Sequence, residues 1–539
     1  MRAGGAAGGR PRSRGSSWAG LPPLLVAALF AAPFGYLVVR NLQAGEAFWR
    51  SFAGTGTLAP LGRSVLLAGT VAVGASLLGT AAAWAVTRTD VYGRRALLVL
   101  LPLPLVIPSF IGAFALVAAF APGGLVEGVL EPLGVEGLPA VDGFPGAFAV
   151  LAVLTYPYVY LPVAARLRQL PASLEESARL LGKGAGETFR SVVLPQIRPA
   201  ILAGALLAFL YTVSDFGAVQ LLRYDTLTRV IYANRLLDPG TSLALSLQLA
   251  LLAIAVILLE RAFTGGPAAA RGRFGARAFR VPLGRARLLA SALLWLLLGL
   301  GLLAPVAVLT FWAVRGVAGG AARSSALVTD LGELVQPALN TSLVAVLAAA
   351  LAVVAVLPVA YLTVRRPSRI AAAANAVVVA GFALPGLVIA LSLVFWTLGA
   401  PPLAGLYQTL PLLLFAYVVH FGAQSLRAAQ VAVAGVPRQM EDAARVLGAG
   451  RARRFLRVEA PLMLPGLLAG GGLVLLSTMK ELPATLLLAP AGFQTLATKI
   501  WTATEDAFLA DASLAALVLV AVSGVLTWLL VVRQGDAWQ

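Results

Sequence analysis

The chain has 539 residues, 59% of them hydrophobic and 12% charged, with no cysteine, a single histidine and a formal net charge of +18. A charged fraction about half that of soluble domains excludes a water-soluble globular protein, and the lack of cysteine excludes disulfides, iron–sulfur clusters and thiolate metal sites. The excess arginine is scattered over separate short segments instead of forming one face, which argues against a nucleic-acid-binding surface.

Apolar stretches of about 20 residues, the length that crosses a bilayer as helix, recur at 21–39, 64–86, 96–121, 146–165, 200–222, 241–259, 288–314, 341–363, 371–398, 409–425, 466–488 and 512–532. They predict an all-α, polytopic membrane protein of twelve spans, six in each half. The first stretch follows Arg2, Arg10, Arg12 and Arg14 as a signal peptide would, but 288–314 is its counterpart in the second half, so it is expected to stay as a span. Most of the 41 Lys and Arg fall on one side of this arrangement. The positive-inside rule then puts both termini in the cytoplasm and the acidic stretch 122–144, with Glu127, Glu131, Glu136 and Asp142, outside. The expected organisation is a cytoplasmic tail 1–19, a first half 20–260, an Arg-rich cytoplasmic linker 261–287, a second half 288–533 and a tail 534–539.

Two polar segments interrupt this pattern and match each other without a gap. Glu176-Ser-Ala-Arg-Leu-Leu-Gly182 pairs with Asp442-Ala-Ala-Arg-Val-Leu-Gly448. The register extends from Pro171 and Pro437 through Glu175 and Glu441, Pro195 and Pro461, and Gly204 and Gly470 to Asp215 and Glu481. The chain is therefore two fused copies of one unit. Leu174, Ser177, Ala178 and Leu181 fall at i, i+3, i+4 and i+7, as do Met440, Ala443, Ala444 and Leu447, which predicts short helices with a small apolar face fit for a groove. Pro171 and Ser173 are expected to open the first helix, with Ser173 and Glu176 at capping-box spacing, and Gly182 to close it in the left-handed conformation. An Arg-rich stretch then runs to Pro195 or Pro461, where the chain is expected to turn back into the membrane. One copy would suit an interfacial helix lying on lipid. Two matched copies in equivalent loops, 171–199 and 437–465, point to two identical docking partners.

This pattern resembles the EAA motif of permease subunits of binding-protein-dependent ABC importers. It reads Glu176, Ser177, Ala178, Gly182, Val192, Leu194 and Pro195 in the first copy, and Asp442, Ala443, Ala444, Gly448, Val458, Ala460 and Pro461 in the second. Ser177, Asp442, the two valines and Ala460 depart from it conservatively. The resemblance implies the fold of a type I importer permease in a bacterial cell membrane. It implies that each loop is a coupling helix seated in one of two copies of an ABC ATPase subunit, with ATP and Mg on that partner and no cofactor on this chain. It also implies an extracytoplasmic binding protein, periplasmic or lipid-anchored, that delivers substrate. No phosphate-binding G-x-x-x-x-G-K-[ST] loop occurs in the sequence, which agrees with ATP hydrolysis by a partner and with a chain that is not itself an enzyme. Over nearly the whole length, and most at 214–229, 480–488 and 493–501, the fused architecture resembles the iron(III) branch. Fused thiamine permeases share the architecture, and polyamine, sulfate and phosphonate permeases share the motif.

Asp215 and Glu481 occupy equivalent places within the fifth and eleventh spans, with Lys480 beside the second. A charge at that depth costs at least about 2.5–3.5 kcal/mol, so these groups should face the interior or a wet cavity. Carboxylates suit a hard trivalent cation better than sulfate or phosphonate; equally, they can pair with Lys480 or cap a helix break without meeting substrate. Tyr156 and Tyr160 share a face of the fourth span, as phenol oxygens on the path or as part of an interfacial aromatic belt. His420 is expected near the cytoplasmic end of the tenth span, and one histidine without partners supplies neither a metal site nor an enzyme's constellation. Pro104, Pro108 and Pro385 mark candidate helix breaks like those of self-powered secondary transporters, a class against which the paired docking loops argue.

Overall fold

The structure is a computed structural model that describes residues 21–134, 137–264, 281–318 and 331–532; both expected tails and most of the expected linker lie outside the described residues. Apart from one bridge between Thr89 and Val281, regular structure among the described residues is helical. That follows from the solvent: in hydrocarbon only a helix pairs every backbone N–H and C=O within its own segment.

The first half comprises α1 (Leu21–Gln43), α2 (Thr55–Arg88), α3 (Arg94–Leu100), α4 (Ser109–Phe120), α5 (Gly143–Gln169), α6 (Ala172–Leu180), α7 (Ala185–Ser214), α8 (Gly217–Leu221), α9 (Leu227–Asn234) and α10 (Pro239–Thr264). The second repeats that order with α11 (Ala286–Val317), α12 (Val335–Arg365), α13 (Arg369–Ala383), α14 (Gly386–Gly399), α15 (Leu410–Gly435), α16 (Arg438–Val446), α17 (Arg451–Met479), α18 (Pro483–Leu488), α19 (Leu496–Glu505) and α20 (Leu509–Val532).

Among the described residues, 10 helices are long and apolar enough to cross a membrane, and two further spans are bent pairs: α3 with α4 at 91°, and α13 with α14 at 102°. The breaks fall at Pro108 and Pro385. Proline pushes the residue before it out of helical geometry, and Ile107 and Leu384 are extended, with ψ of 118° and 126°. Pro104 lies in the 3₁₀ turn Leu103–Val106 that leads into the first break.

The expected turn into the membrane at Pro195 and Pro461 is not found. The chain reverses earlier, after Gly182 and Gly448, and α7 and α17 run through both prolines. A proline inside a helix clashes with the carbonyl four residues back. Here the wider π-turns Phe189–Val193 and Phe455–Glu459 hold that carbonyl and make room.

In each half α2, α5 and α7, or α12, α15 and α17, form the packed centre. Small residues let the helices approach. A Cβ on Gly204 would lie 2.6 Å from Val159 Cα, and one on Gly470 would lie 2.6 Å from Ala428 Cβ. The first helix of each half lies on the other half. On α1, Phe30 fills the space over Gly422 and Tyr36 stacks on Trp396 with centroids 6.3 Å apart. On α11, Trp312 Nε1 donates to Ala118 O at 2.9 Å and Gly301 abuts Pro104.

Gly204→Leu and Gly470→Leu force a side chain into neighbouring atoms, and overpacking costs about 1–3 kcal/mol or more. Both variants are expected to lose most monodisperse protein on detergent extraction, whereas Gly35→Leu, with nothing within 4 Å of its Cβ position, should extract like the parent. Size-exclusion profiles check this.

Candidate functional site

The two loop helices share one backbone design. Each begins after an extended proline, Pro171 (ψ 134°) or Pro437 (ψ 130°). Each ends on a glycine with positive φ, +83° at Gly182 and +79° at Gly448. Gly182 N–H donates to Arg179 O at 2.9 Å and Lys183 N–H to Ala178 O at 3.2 Å; Gly448 and Ala449 make the same pair at 3.0 and 2.9 Å. These are Schellman closures, which use up orphan carbonyls at the helix end. The expected capping box does not form, because the helix starts at Ala172 and leaves Ser173 inside its first turn.

The small-residue face divides in a way that periodicity did not predict. Ala178 and Ala444 are buried against their own half, while Glu176, Ser177, Asp442 and Ala443 are exposed. Beside them project Leu180 at 89% and Val446 at 88% exposure, followed by the exposed Leu181 and Leu447. Leu194 is half-buried in the first-half core, and Pro195 and Pro461 are exposed on α7 and α17. Inward from each motif lies an ion pair, Arg88 with Glu175 at 3.2 Å and Arg365 with Glu441 at 2.6 Å. Burial pushes the Glu175 carboxyl up, against the pull of Arg88 and Arg179. The paired acids stand in the repeat, but the distant arginines that hold them carry no local signal.

Deeper in the chain, Asp215 and Glu481 sit where α7 and α17 stop and the short helices α8 and α18 begin. Asp215 Oδ1 accepts from Ala218 N–H at 3.0 Å and Val219 N–H at 3.3 Å, and Oδ2 accepts from the Ser109 hydroxyl at the start of α4. Glu481 Oε1 accepts from Ala484 N–H at 3.1 Å. Thr228 donates to Asp215 O at 2.6 Å and Thr485 to Glu481 O at 2.7 Å. Both acids therefore cap helix breaks. Lys480 does not pair with Glu481 among the described residues; its ammonium donates to Leu105 O of the other half at 3.0 Å. Phe216, next to Asp215, packs on Trp501 of the second half with centroids 5.4 Å apart. The two halves thus meet at the level of the breaks.

Two expectations need correction. Tyr156 and Tyr160 are buried, not belted at an interface: their hydroxyls donate to Leu101 O at 2.6 Å and Leu98 O at 3.4 Å. Those carbonyls are freed where α3 ends short of its break. His420 lies midway along α15 and not near its end. It reaches the second break, where a Cβ on Gly386 would lie 3.4 Å from His420 Nε2 and 2.5 Å from Glu481 Oε1. The helix breaks expected at Pro108 and Pro385 are found.

Residues 75–264 and 357–534 each match the family described as the binding-protein-dependent transport system inner membrane component. The chain belongs to that family and carries its unit twice. It is 30% identical to the Fe(3+)-transport system permease protein FbpB 2 of Haemophilus influenzae over 95% of this chain and 97% of that one. It is 27% identical to a probable ABC transporter permease, y4fN, of Sinorhizobium fredii over 96% and 94%. The molybdenum transport system permease protein ModB of Mycobacterium tuberculosis is 30% identical, with 45% of this chain covering 92% of its length. A whole relative of that kind corresponds to half of this chain. The protein is accordingly an all-α, multi-pass membrane permease with two homologous halves, and its family is a transport component, not a catalytic one.

If Asp215 acts as a cap, Asp215→Ala leaves two buried N–H groups without an acceptor, at about 1–3 kcal/mol each, and should lower the thermal unfolding midpoint by several degrees. Asp215→Asn keeps an oxygen acceptor and should lower it less. Equal losses in the two variants would show that the charge, not the cap, holds the break.

Proposed function

We propose that this chain is the permease of an ATP-driven importer that moves ferric iron from an extracytoplasmic binding protein into the cytoplasm. The observation that carries the reading is the duplicated loop helix with its exposed apolar tip. Large apolar side chains held in water mark a surface that another protein covers, and two equal tips call for two equal partners. An ABC ATPase subunit on each, binding ATP and Mg, fits the family and the absence of a phosphate loop in this chain. The docking face so read comprises Glu176, Ser177, Leu180 and Leu181, with Asp442, Ala443, Val446 and Leu447 opposite. Ala178 and Ala444 seat each helix on its own half, and Gly182 and Gly448 let the chain reverse behind the tip. Both termini and the linker are read as cytoplasmic, from the arginine distribution.

Ferric iron as cargo rests on the full-length Fe(3+) relative. The carboxylate argument for a cation is weaker than the sequence suggested, because Asp215 and Glu481 are engaged with backbone N–H groups. They shape the path by fixing its breaks. Lys480 at the meeting of the halves favours a second reading, an oxyanion, in keeping with the relatives named for molybdenum and sulfate transport.

Gly182→Glu and Gly448→Glu place a side chain in a left-handed conformation, at about 1–2 kcal/mol each. With open space around both, membrane insertion should survive while co-purification of the ATPase falls; full retention of the ATPase would remove the docking role. In vesicles carrying the complete complex, labelled ferric iron should accumulate and labelled molybdate or thiamine should not. The reverse result would change the cargo and leave the permease standing. For topology, a cysteine at Gly128 should react with an impermeant thiol reagent in intact cells, and one at Gly186 should not.

A further inference from the structure

One guanidinium in each half ties three elements together. Arg88, the last residue of α2, pairs with Glu175 in the first turn of α6 at 3.2 Å. Its Nη2 also donates to Leu167 O at 2.8 Å and Leu170 O at 3.0 Å, at the end of α5. Arg365, the last residue of α12, repeats the arrangement, 2.6 Å from Glu441 in the first turn of α16 and 2.9 Å from Val436 O just past α15. Leu170 and Val436 hold the same place before the repeated prolines.

The chemistry of each junction is complementary. The last carbonyls of α5 and α15 lack intrahelical donors and carry the negative end of the helix dipole, so a cation belongs there. The side chains of Arg88 and Glu175 are 1% and 4% exposed and those of Arg365 and Glu441 14% each, so removing the acid strands a desolvated charge. The next residue along, Glu176 or Asp442, is exposed. Two adjacent acids thus point opposite ways, one into its own membrane half and one out toward solvent. Only Leu170 and Pro171, both extended, separate α5 from α6, with ψ of 120° and 134°. Without the ion pair that joint is a hinge.

We propose that Arg88 with Glu175, and Arg365 with Glu441, are positioning residues that lock each loop helix to two membrane helices. A displacement imposed on α6 or α16 then passes to α2 and α5, or to α12 and α15, instead of being absorbed at the joint. This rests on the reading of the chain as an ATP-driven importer. Glu176 and Asp442 take the load from the partner, and Glu175 and Glu441 transmit it.

The test uses Glu175→Gln and Glu441→Gln, singly and together, in the complete complex in vesicles, with ATP hydrolysis and uptake of labelled ferric iron measured in the same sample. ATPase co-purification per permease should hold, and uptake per ATP should fall at least about fivefold in the double variant, with Glu→Asp at both sites recovering most of it. A purely structural pair would scale both rates together with the amount of complex, and an unchanged ratio overturns the proposal. Spin labels at Ser173→Cys on α6 and Leu77→Cys on α2, both exposed in a chain free of cysteine, give a readout independent of cargo. Their distance distribution should broaden in Glu175→Gln, and an unbroadened one also overturns the lock. Should Glu175→Gln fail to reach the membrane, uptake per ATP in Glu441→Gln, whose pair is the more exposed, decides alone. Parent vesicles that hydrolyse ATP without taking up iron count against the iron reading, whereas the spin-label result bears on the lock.

Discussion

Lipid offers no partner to a free backbone N–H, and among the described residues helices nonetheless break at Pro108, Asp215, Pro385 and Lys480–Glu481. The chemistry at each break follows from that constraint. Pro108 and Pro385 have no N–H to leave unpaired. Asp215 and Glu481 supply carboxylate oxygens to the first N–H groups of α8 and α18, and Thr228 and Thr485 cover the carbonyls of those same acids. Tyr156 and Tyr160 donate to the carbonyls that α3 leaves open. Charge-assisted hydrogen bonds contribute about 1.5–3 kcal/mol each, enough for the three on the Asp215 carboxylate to offset its insertion cost.

The breaks need a rigid frame, and the exchange of first helices supplies one. With α1 lying on the second half and α11 on the first, neither half buries its apolar faces alone. The halves also touch directly, where Phe216 meets Trp501 and Lys480 meets Leu105. The closely packed centres of α2, α5 and α7 and of their counterparts admit little internal shear, since Gly204 and Gly470 sit against their neighbours with no room for a methyl group.

Much of this was legible in the sequence, for stated reasons. Span number and the twofold repeat follow from hydropathy and register, and the left-handed glycines follow from a backbone geometry that few other residues adopt. Hydropathy windows see no direction, so they merged α3 with α4 and α13 with α14 across bends of 91° and 102°. They also place the start of α7 too late, because its first turns are polar. The roles of Tyr156, Tyr160 and His420 depend on which neighbouring helix they meet, which periodicity along one helix cannot specify. The pairing of Arg88 with Glu175 joins residues far apart in the chain. Glu175 stands in the repeat, and nothing in the sequence connects Arg88 to it.

Where the halves differ is as informative as where they agree. The loop helices, their closing glycines and their ion pairs are duplicated nearly residue for residue. At the breaks the duplication fails: Ser109 faces Asp215 where Gly386 faces Glu481, Leu154 stands where the second half has His420, and Ser214 stands where it has Lys480. At the breaks the second half thus adds an ammonium and an imidazole that the first lacks, and the first adds a hydroxyl that the second lacks. Fusion into a single chain allows that asymmetry, because each half can change at its break without changing its twin. Two copies of one chain would repeat every side chain at both breaks. Symmetry is thus held at the loop helices and released where the two halves meet.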